Sequence, residues 1–133
     1  MKYHLFIPAS LFALLVGAAG HALPAPRPQV TGLFSTIRYV PEAGDVVGTE
    51  VFLIYEGNGY QVLVQCAEGR MGQAQLLPAL ITYPEISFTV PSDSPTLCPR
   101  GEFKGKLSKE GLTGTIEGLT WPGFLPRRKS YWQ

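Results

Sequence analysis

The stretch that decides the fold is Glu102–Leu119, EFKGKLSKEGLTGTIEGL, which is the most regular pattern in the chain. Its first half alternates apolar or small residues with charged ones, and its second half does the same with threonines and a glutamate. A period of two places one set of side chains on each face of a β-strand. Lys109-Glu110-Gly111 between the halves is a turn signal. The sequence therefore predicts a β-hairpin here.

A second hairpin is predicted upstream from two β-branched and aromatic runs, Thr49–Tyr55 and Tyr60–Ala67. The four residues between them, EGNG, carry an Asn-Gly turn signal. In the run Ala74–Tyr83, leucines at helical spacing are compatible with a short helix. Pro78 and the strand-rich context instead favour a strand with a bulge. The remaining predicted strands are Leu33–Val40, Ala74–Tyr83, Glu85–Val90 and a candidate last strand, Arg127–Gln133.

Seven or eight short strands separated by turn signals predict an all-β fold. We expect a small antiparallel β-barrel of calycin-like type, with a β-sandwich as the alternative. Gly105 and Gly114 favour the barrel, because they lie on the apolar faces of neighbouring strands and allow strong bending. Such glycines also leave room for a ligand, or for a large side chain such as that of Trp121.

The first 22 residues have the order of a secretory signal. Lys2 is followed by an apolar stretch over 5–17 and by small residues at Gly20 and Ala22. This stretch is too short for a comfortable transmembrane anchor. We therefore expect an exported protein, periplasmic or secreted. The predicted organisation is a signal peptide over 1–22, a Pro-rich arm over 23–31 and one all-β domain over 32–133.

The two cysteines, Cys66 and Cys98, form an even pair in a chain expected to enter an oxidising compartment. Such a pair predicts one disulfide rather than a reactive thiol or a metal site. On the chain-entropy view, closing a loop of this length stabilises the fold by about 3.5–4 kcal/mol.

Both histidines, His4 and His21, lie within the predicted signal. The processed chain would then have no imidazole for nucleophilic triads or for His-ligated metals. With the cysteines paired and no Gly-rich phosphate loop opening a helix, we expect no enzyme activity, no cofactor and no metal.

Charge argues against nucleic acid as the main partner. Cleavage of the signal would remove Lys2 and no acidic residue, so the remaining chain would have no net formal charge. Such a chain lacks the general electrostatic attraction on which nucleic-acid binding depends. Basic residues gather at Arg127-Arg128-Lys129, beside Trp121 and Trp132. This aromatic-basic segment either packs onto the domain or contacts an anionic lipid or protein surface.

One carboxylate, Glu50, lies inside an apolar strand and shares a face with Phe52 and Ile54. If that face is interior, Glu50 is partly buried and Arg38 on the preceding strand is the expected counter-ion. A structural ion pair, a polar anchor in a pocket and a general acid all remain open.

In size, signal, single disulfide and hairpin regularity, the chain resembles small exported bacterial β-barrel domains. These include calycin-like binders and periplasmic barrel inhibitors of lysozyme or of secreted proteases. The resemblance is architectural, so it implies a fold and transfers no residue role. We expect a non-catalytic binding protein of the cell envelope, for a small apolar ligand in the barrel or a protein at its loop end. The alternatives are an interaction or inhibitor-like protein acting through the aromatic-basic segment and, less favoured, a carboxylate-based glycan hydrolase.

Overall fold

A computed structural model describes residues 29–129, and the predicted signal and most of the Pro-rich arm lie outside this range. Between residues 29 and 129 there is no helix that could cross a membrane. The nine strands here are β1 (Gly32–Ser35), β2 (Arg38–Val40), β3 (Asp45–Glu56), β4 (Gly59–Gly69), β5 (Gln75–Thr82), β6 (Glu85–Val90), β7 (Gly101–Leu107), β8 (Gly111–Ile116) and β9 (Leu119–Arg128).

Eight of these strands form a closed antiparallel β-barrel. Their order is β1-β9-β8-β7-β6-β5-β4-β3, and pairing of β1 with β3 closes the ring. The short strand β2 is additional and pairs with the beginning of β3. The predicted small antiparallel barrel is confirmed, and the sandwich alternative is wrong.

The first predicted strand, Leu33–Val40, is divided into β1 and β2. Between them the Thr36 amide donates to the Thr49 carbonyl at 2.9 Å, and the Ile37 amide donates to Ser35 Oγ at 3.1 Å. The chain passes so close to β3 that a Cβ at Gly48 would lie 2.5 Å from the Thr36 carbonyl oxygen. Gly48 therefore permits this crossing, and its positive φ of 123° suits glycine as well.

Both predicted hairpins are present, as β3–β4 and β7–β8. In β3–β4 the turn is shifted by one residue from the Asn-Gly pair. Glu56 pairs with Gly59, so Gly57 and Asn58 are the central residues, and Gly57 supplies the positive φ of 60°. The strand prediction around Pro78 is confirmed without its bulge, because β4 and β5 keep an unbroken register.

Side chains fill the interior of the barrel. Phe88 and Phe103 stack with ring centroids 4.5 Å apart, and fully buried aliphatic side chains such as Leu53 and Leu112 surround them. Full burial of one such side chain stabilises the fold by about 1.5–3 kcal/mol relative to leaving it exposed. This packed interior separates the two ends of the barrel.

The two ends differ in composition. The basic end holds the start of β1, the end of β9 and the turns after β3, β5 and β7. The disulfide end holds β2, the start of β3 and the connections after β4, β6 and β8. By residue number, the basic end comprises 29–32, 55–60, 82–85, 108–110 and 126–129, and the disulfide end comprises 36–48, 66–74, 91–100 and 117–119.

At the disulfide end, the connection 91–100 folds over the barrel opening. Cys98 bonds to Cys66 at the end of β4, with Cα atoms 5.1 Å apart, so the predicted disulfide is confirmed. Ser94 donates from Oγ to Gln75 Oε1 at 3.1 Å, and the Arg100 guanidinium donates to the carbonyls of Ser94 and Cys98. These contacts fix the connection against the barrel and bury its residues Ser94, Thr96 and Cys98.

Candidate functional site

The last strand carries the basic cluster to the basic end. β9 runs from Leu119 to Arg128, so Arg127–Gln133 is not a separate strand as predicted; its first two residues end β9, and 130–133 lie outside the described range. Leu33 pairs with Arg128 and Phe34 with Arg127. The beginning of β1 thus fixes the position of the two arginines.

Arg127 lies at the basic end of the barrel, above the ring of a buried residue. Its guanidinium lies 4.6 Å from the centroid of the buried Phe34 ring, a cation–π contact. It donates to the carbonyls of Thr31 at 2.8 Å, Gln29 at 2.9 Å and Ser108 at 3.3 Å. Partial burial lowers the pKa of Arg127, an effect that nearby Tyr83 opposes, but an arginine remains protonated in proteins. Arg127 is therefore a structural cation that joins β1, β9 and the β7–β8 turn.

A surface cavity of about 800 Å³ adjoins Arg127. Its volume lies within the range of about 300–1,000 Å³ usual for ligand sites. The cavity brings basic and apolar groups together. Arg128 donates from Nε to the Ser35 carbonyl at 3.2 Å, whereas the side chains of Lys109 and Lys129 are exposed. The basic lining residues are Lys109, Arg127, Arg128 and Lys129, and the apolar ones include Leu33, Phe52, Leu53 and Ile54.

Among residues 29–129, Glu110 is the one carboxylate that lines this cavity. Hydrogen bonding by its own backbone amide, then by the Ser108 hydroxyl, lowers the pKa of Glu110, and the charge of Lys109 adds to the effect. Within residues 29–129 the ion pair formed is Lys104–Glu102, at 3.2 Å on the outer face of β7. The four cations of the cavity are therefore not neutralised by a paired carboxylate in the described part of the chain.

Glu50 and Arg38 do not form the expected pair. Glu50 lies opposite Ser35 and Gln65, whereas Arg38 lies opposite Val47 near the disulfide end. The inward face of β3 carries Val51 and Leu53, so the face shared by Glu50, Phe52 and Ile54 points outward. The condition for a buried carboxylate is not met, and Glu50 lies away from the basic cavity.

Gly105 and Gly114 leave room for an aromatic ring, and the ring is that of Phe103. A Cβ at Gly114 would lie 2.2 Å from Phe103 Cζ, and a Cβ at Gly105 would lie 2.7 Å from the same atom. Trp121, named from sequence as one possible occupant, instead donates from Nε1 to Thr49 Oγ1 at 3.0 Å. An aromatic side chain therefore fills the space as expected, but it is that of Phe103, and the glycines serve internal packing.

A second cavity, of about 650 Å³, lies on the outer face of β5–β8 over the same glycines. Its walls include Leu80, Lys104 and Lys106. Here the charges are compensated locally, because Lys104 pairs with Glu102 and Lys106 lies opposite Glu85 in the register. This balance distinguishes it from the cavity beside Arg127.

Of the residues proposed from sequence, the structure brings Arg127 and Arg128 into one site. It places Arg38, Glu50 and Trp121 elsewhere, and Trp132 lies outside the described residues. Sequence reasoning missed Lys109, Glu110 and the apolar wall of Phe52. Lys109 and Glu110 were recognised as turn residues, and only the closure of the barrel brings that turn beside the end of β9. Among residues 29–129, no group of three or more Asp, Glu, His or Cys residues could hold a metal ion.

Comparison with protein-family models, curated proteins and solved structures gave no match to this chain.

Proposed function

We propose that this protein is a non-catalytic binding protein that holds an anionic partner at the basic end of its barrel. The observation that carries the proposal is the set of four cations, Lys109, Arg127, Arg128 and Lys129, around one cavity that includes a single carboxylate. Protein surfaces usually intersperse charges of both signs. A cluster of one sign with apolar neighbours creates a local potential that attracts an oppositely charged group.

Two further features support binding at the outer surface rather than inside the barrel. Phe103 occupies the space beside Gly105 and Gly114 that a small apolar ligand would need. The connection 91–100 covers the opposite opening, where Cys98, Thr96 and Ser94 are buried. A partner therefore has access to the basic end without any rearrangement of the core.

Arg127 and the two lysines have different parts in this proposal. Arg127 is held by three backbone carbonyls, so it contributes a fixed positive charge at the base of the cavity. Lys109 and Lys129 are exposed and can move to meet an anion, since lysine is a flexible point charge. The hydrogen bond described for Arg128 uses Nε, so the two terminal nitrogens of its guanidinium can donate to a partner.

The test compares charge reversal at the two ends, with dextran sulfate as the anionic probe. Lys109→Glu with Lys129→Glu changes the basic end, and Arg38→Glu with Arg70→Glu makes the same change in net charge with exposed residues at the disulfide end. At about 1 kcal/mol for each basic group near an anionic surface, we expect the first pair to weaken binding at least about tenfold.

The matched pair should leave the dissociation constant within about twofold, because Debye screening limits exposed charges to a range of about 8 Å at physiological salt. The basic-end variant should also show a shallower dependence of binding on salt. Equal losses for the two pairs would contradict the proposal, as would the absence of dextran sulfate binding by the unmodified protein.

A further inference from the structure

The geometry points to an anionic lipid surface as the partner of the basic end, an inference that rests on the proposed function above. In this arrangement Lys109, Arg128 and Lys129 contact acidic head groups, and the aromatic and apolar side chains beside them enter the interfacial layer. Two observations favour a lipid surface over an acidic protein.

The first observation is the presence of exposed tyrosines at the basic end. Tyr55 is 59% exposed and meets Tyr60 edge-to-face with ring centroids 5.0 Å apart. Tyr83, in the β5–β6 turn, is also exposed. A tyrosine has an apolar ring and a polar tip, which suits the boundary between lipid head groups and acyl chains.

The second observation is a row of apolar side chains that begins beside Arg128 and crosses the outside of the barrel. Leu33 pairs with Arg128 and with Phe52, and Phe52 pairs with Leu63 on β4. Leu63 in turn pairs with Leu76 on β5. Phe52, Leu63 and Leu76 are all exposed. Cations at the edge of an exposed apolar surface can remain at the level of the head groups while the apolar side chains enter below them.

The experiment is co-sedimentation of the protein with vesicles of phosphatidylcholine alone and of phosphatidylcholine mixed with phosphatidylglycerol. The protein is expressed from its full-length sequence and purified with its disulfide formed. We expect sedimentation with the mixed vesicles and not with phosphatidylcholine alone. Removal of one lysine from the basic end should reduce the partition coefficient about fivefold, the equivalent of one basic residue at an anionic surface.

A tyrosine pair provides the matched control. Tyr55→Ser removes a ring at the basic end, and Tyr39→Ser removes one of nearly equal exposure, 61%, on β2 at the disulfide end. Tyr55 lines the cavity but carries no charge, so we expect Tyr55→Ser to reduce vesicle binding several-fold and to reduce dextran sulfate binding much less, because an aromatic ring enters a lipid interface and does not neutralise sulfate groups. Tyr39→Ser should change neither measurement.

The outcomes separate this inference from the proposed function. Binding of dextran sulfate without binding of phosphatidylglycerol vesicles overturns the lipid inference and leaves an acidic protein as the partner. Failure to bind either probe overturns both proposals. Equal effects of Tyr55→Ser and Tyr39→Ser on vesicle binding overturn the orientation, since the basic end would then have no special part in it.

Discussion

At the disulfide end of this barrel, ten residues fold over the opening and a covalent bond holds them, whereas at the basic end one arginine lies over one phenylalanine ring. In the connection at the disulfide end, Ser94 and Thr96 are buried and hydrogen-bonded within the chain, and the exposed Arg100 donates to the Ser94 carbonyl. The basic end leaves Lys109 and Lys129 exposed beside a cavity. One end is thus fixed by a covalent bond, and the other presents exposed cations.

The largest effect is expected from removing the covalent bond at the disulfide end. In the double variant Cys66→Ser with Cys98→Ser, the free energy of unfolding should fall by about 3.5–4 kcal/mol, because the unfolded chain regains the entropy of an open loop. Denaturant titration measures this loss. Dextran sulfate binding by the folded variant should be unchanged, and a loss of binding under folding conditions would show that the ends are not independent.

A slightly smaller effect is expected from overfilling the interior that separates the ends. A Cβ at Gly114 would overlap the Phe103 ring, so Gly114→Ala should destabilise the protein by about 2–3 kcal/mol. Adding Phe103→Leu should recover part of that loss, which thermal unfolding of the single and double variants can measure. If Gly114→Ala were neutral, the explanation of the paired glycines would be wrong.

The next largest loss of stability is expected from replacing Arg127. Arg127→Met keeps an apolar stem over Phe34 but removes a charged donor from three carbonyls, so we expect a loss of about 2 kcal/mol in unfolding free energy. Chemical denaturation checks the value. Lys129→Met is the control and should lie within about 0.5 kcal/mol of the unmodified protein, as exposed substitutions usually do. Equal losses of unfolding free energy in the two variants would show that Arg127 has no structural role.

The smallest predicted effect concerns Glu110. Glu110→Gln removes the one carboxylate that lines the cavity and should strengthen dextran sulfate binding about twofold at neutral pH, an ordinary size for one exposed charge. The pKa of Glu110 is lowered, so the unmodified side chain stays ionised into the acidic range. The difference between the two proteins should therefore persist on mild acidification and vanish only once the pH falls below that lowered pKa.

The same lowered pKa has a consequence for stability. A carboxyl group whose pKa is depressed in the folded state stabilises the fold above its unfolded pKa and loses that contribution as the pH falls through the folded value. For Glu110, which is fully exposed, this contribution should be small.

The sequence predicted the strands, the two hairpins and the barrel, but not which face of every strand points inward or which distant residues meet at the candidate site. Alternation in EFKGKLS and LTGTIEG predicted β7 and β8 with the correct inward residues, because neighbouring side chains there differ sharply in polarity. In β3 both faces carry apolar residues, so the period of two could not indicate that Val51 points inward and Phe52 outward. The face on which Glu50 lies was left open for that reason.

The candidate site was only half predictable. Arg127 and Arg128 are adjacent in sequence, so their cluster is visible in the chain itself. Lys109 belongs to a different turn, and its approach to Arg128 depends on the pairing of β8 with β9 and of β9 with β1. The apolar wall from Phe52 depends on closure of the ring by β1 and β3. Such contacts join distant parts of the chain and leave no local signature.

The most direct measurement of the central claim is an amide-proton NMR titration of the protein with short dextran sulfate chains. We expect the signals of residues 108–110 and 127–129 to shift in a saturable way, while those of 66–72 and 94–100 at the disulfide end stay in place. Shifts concentrated at the disulfide end, or spread evenly over the barrel, would contradict the assignment of the basic end as the binding site.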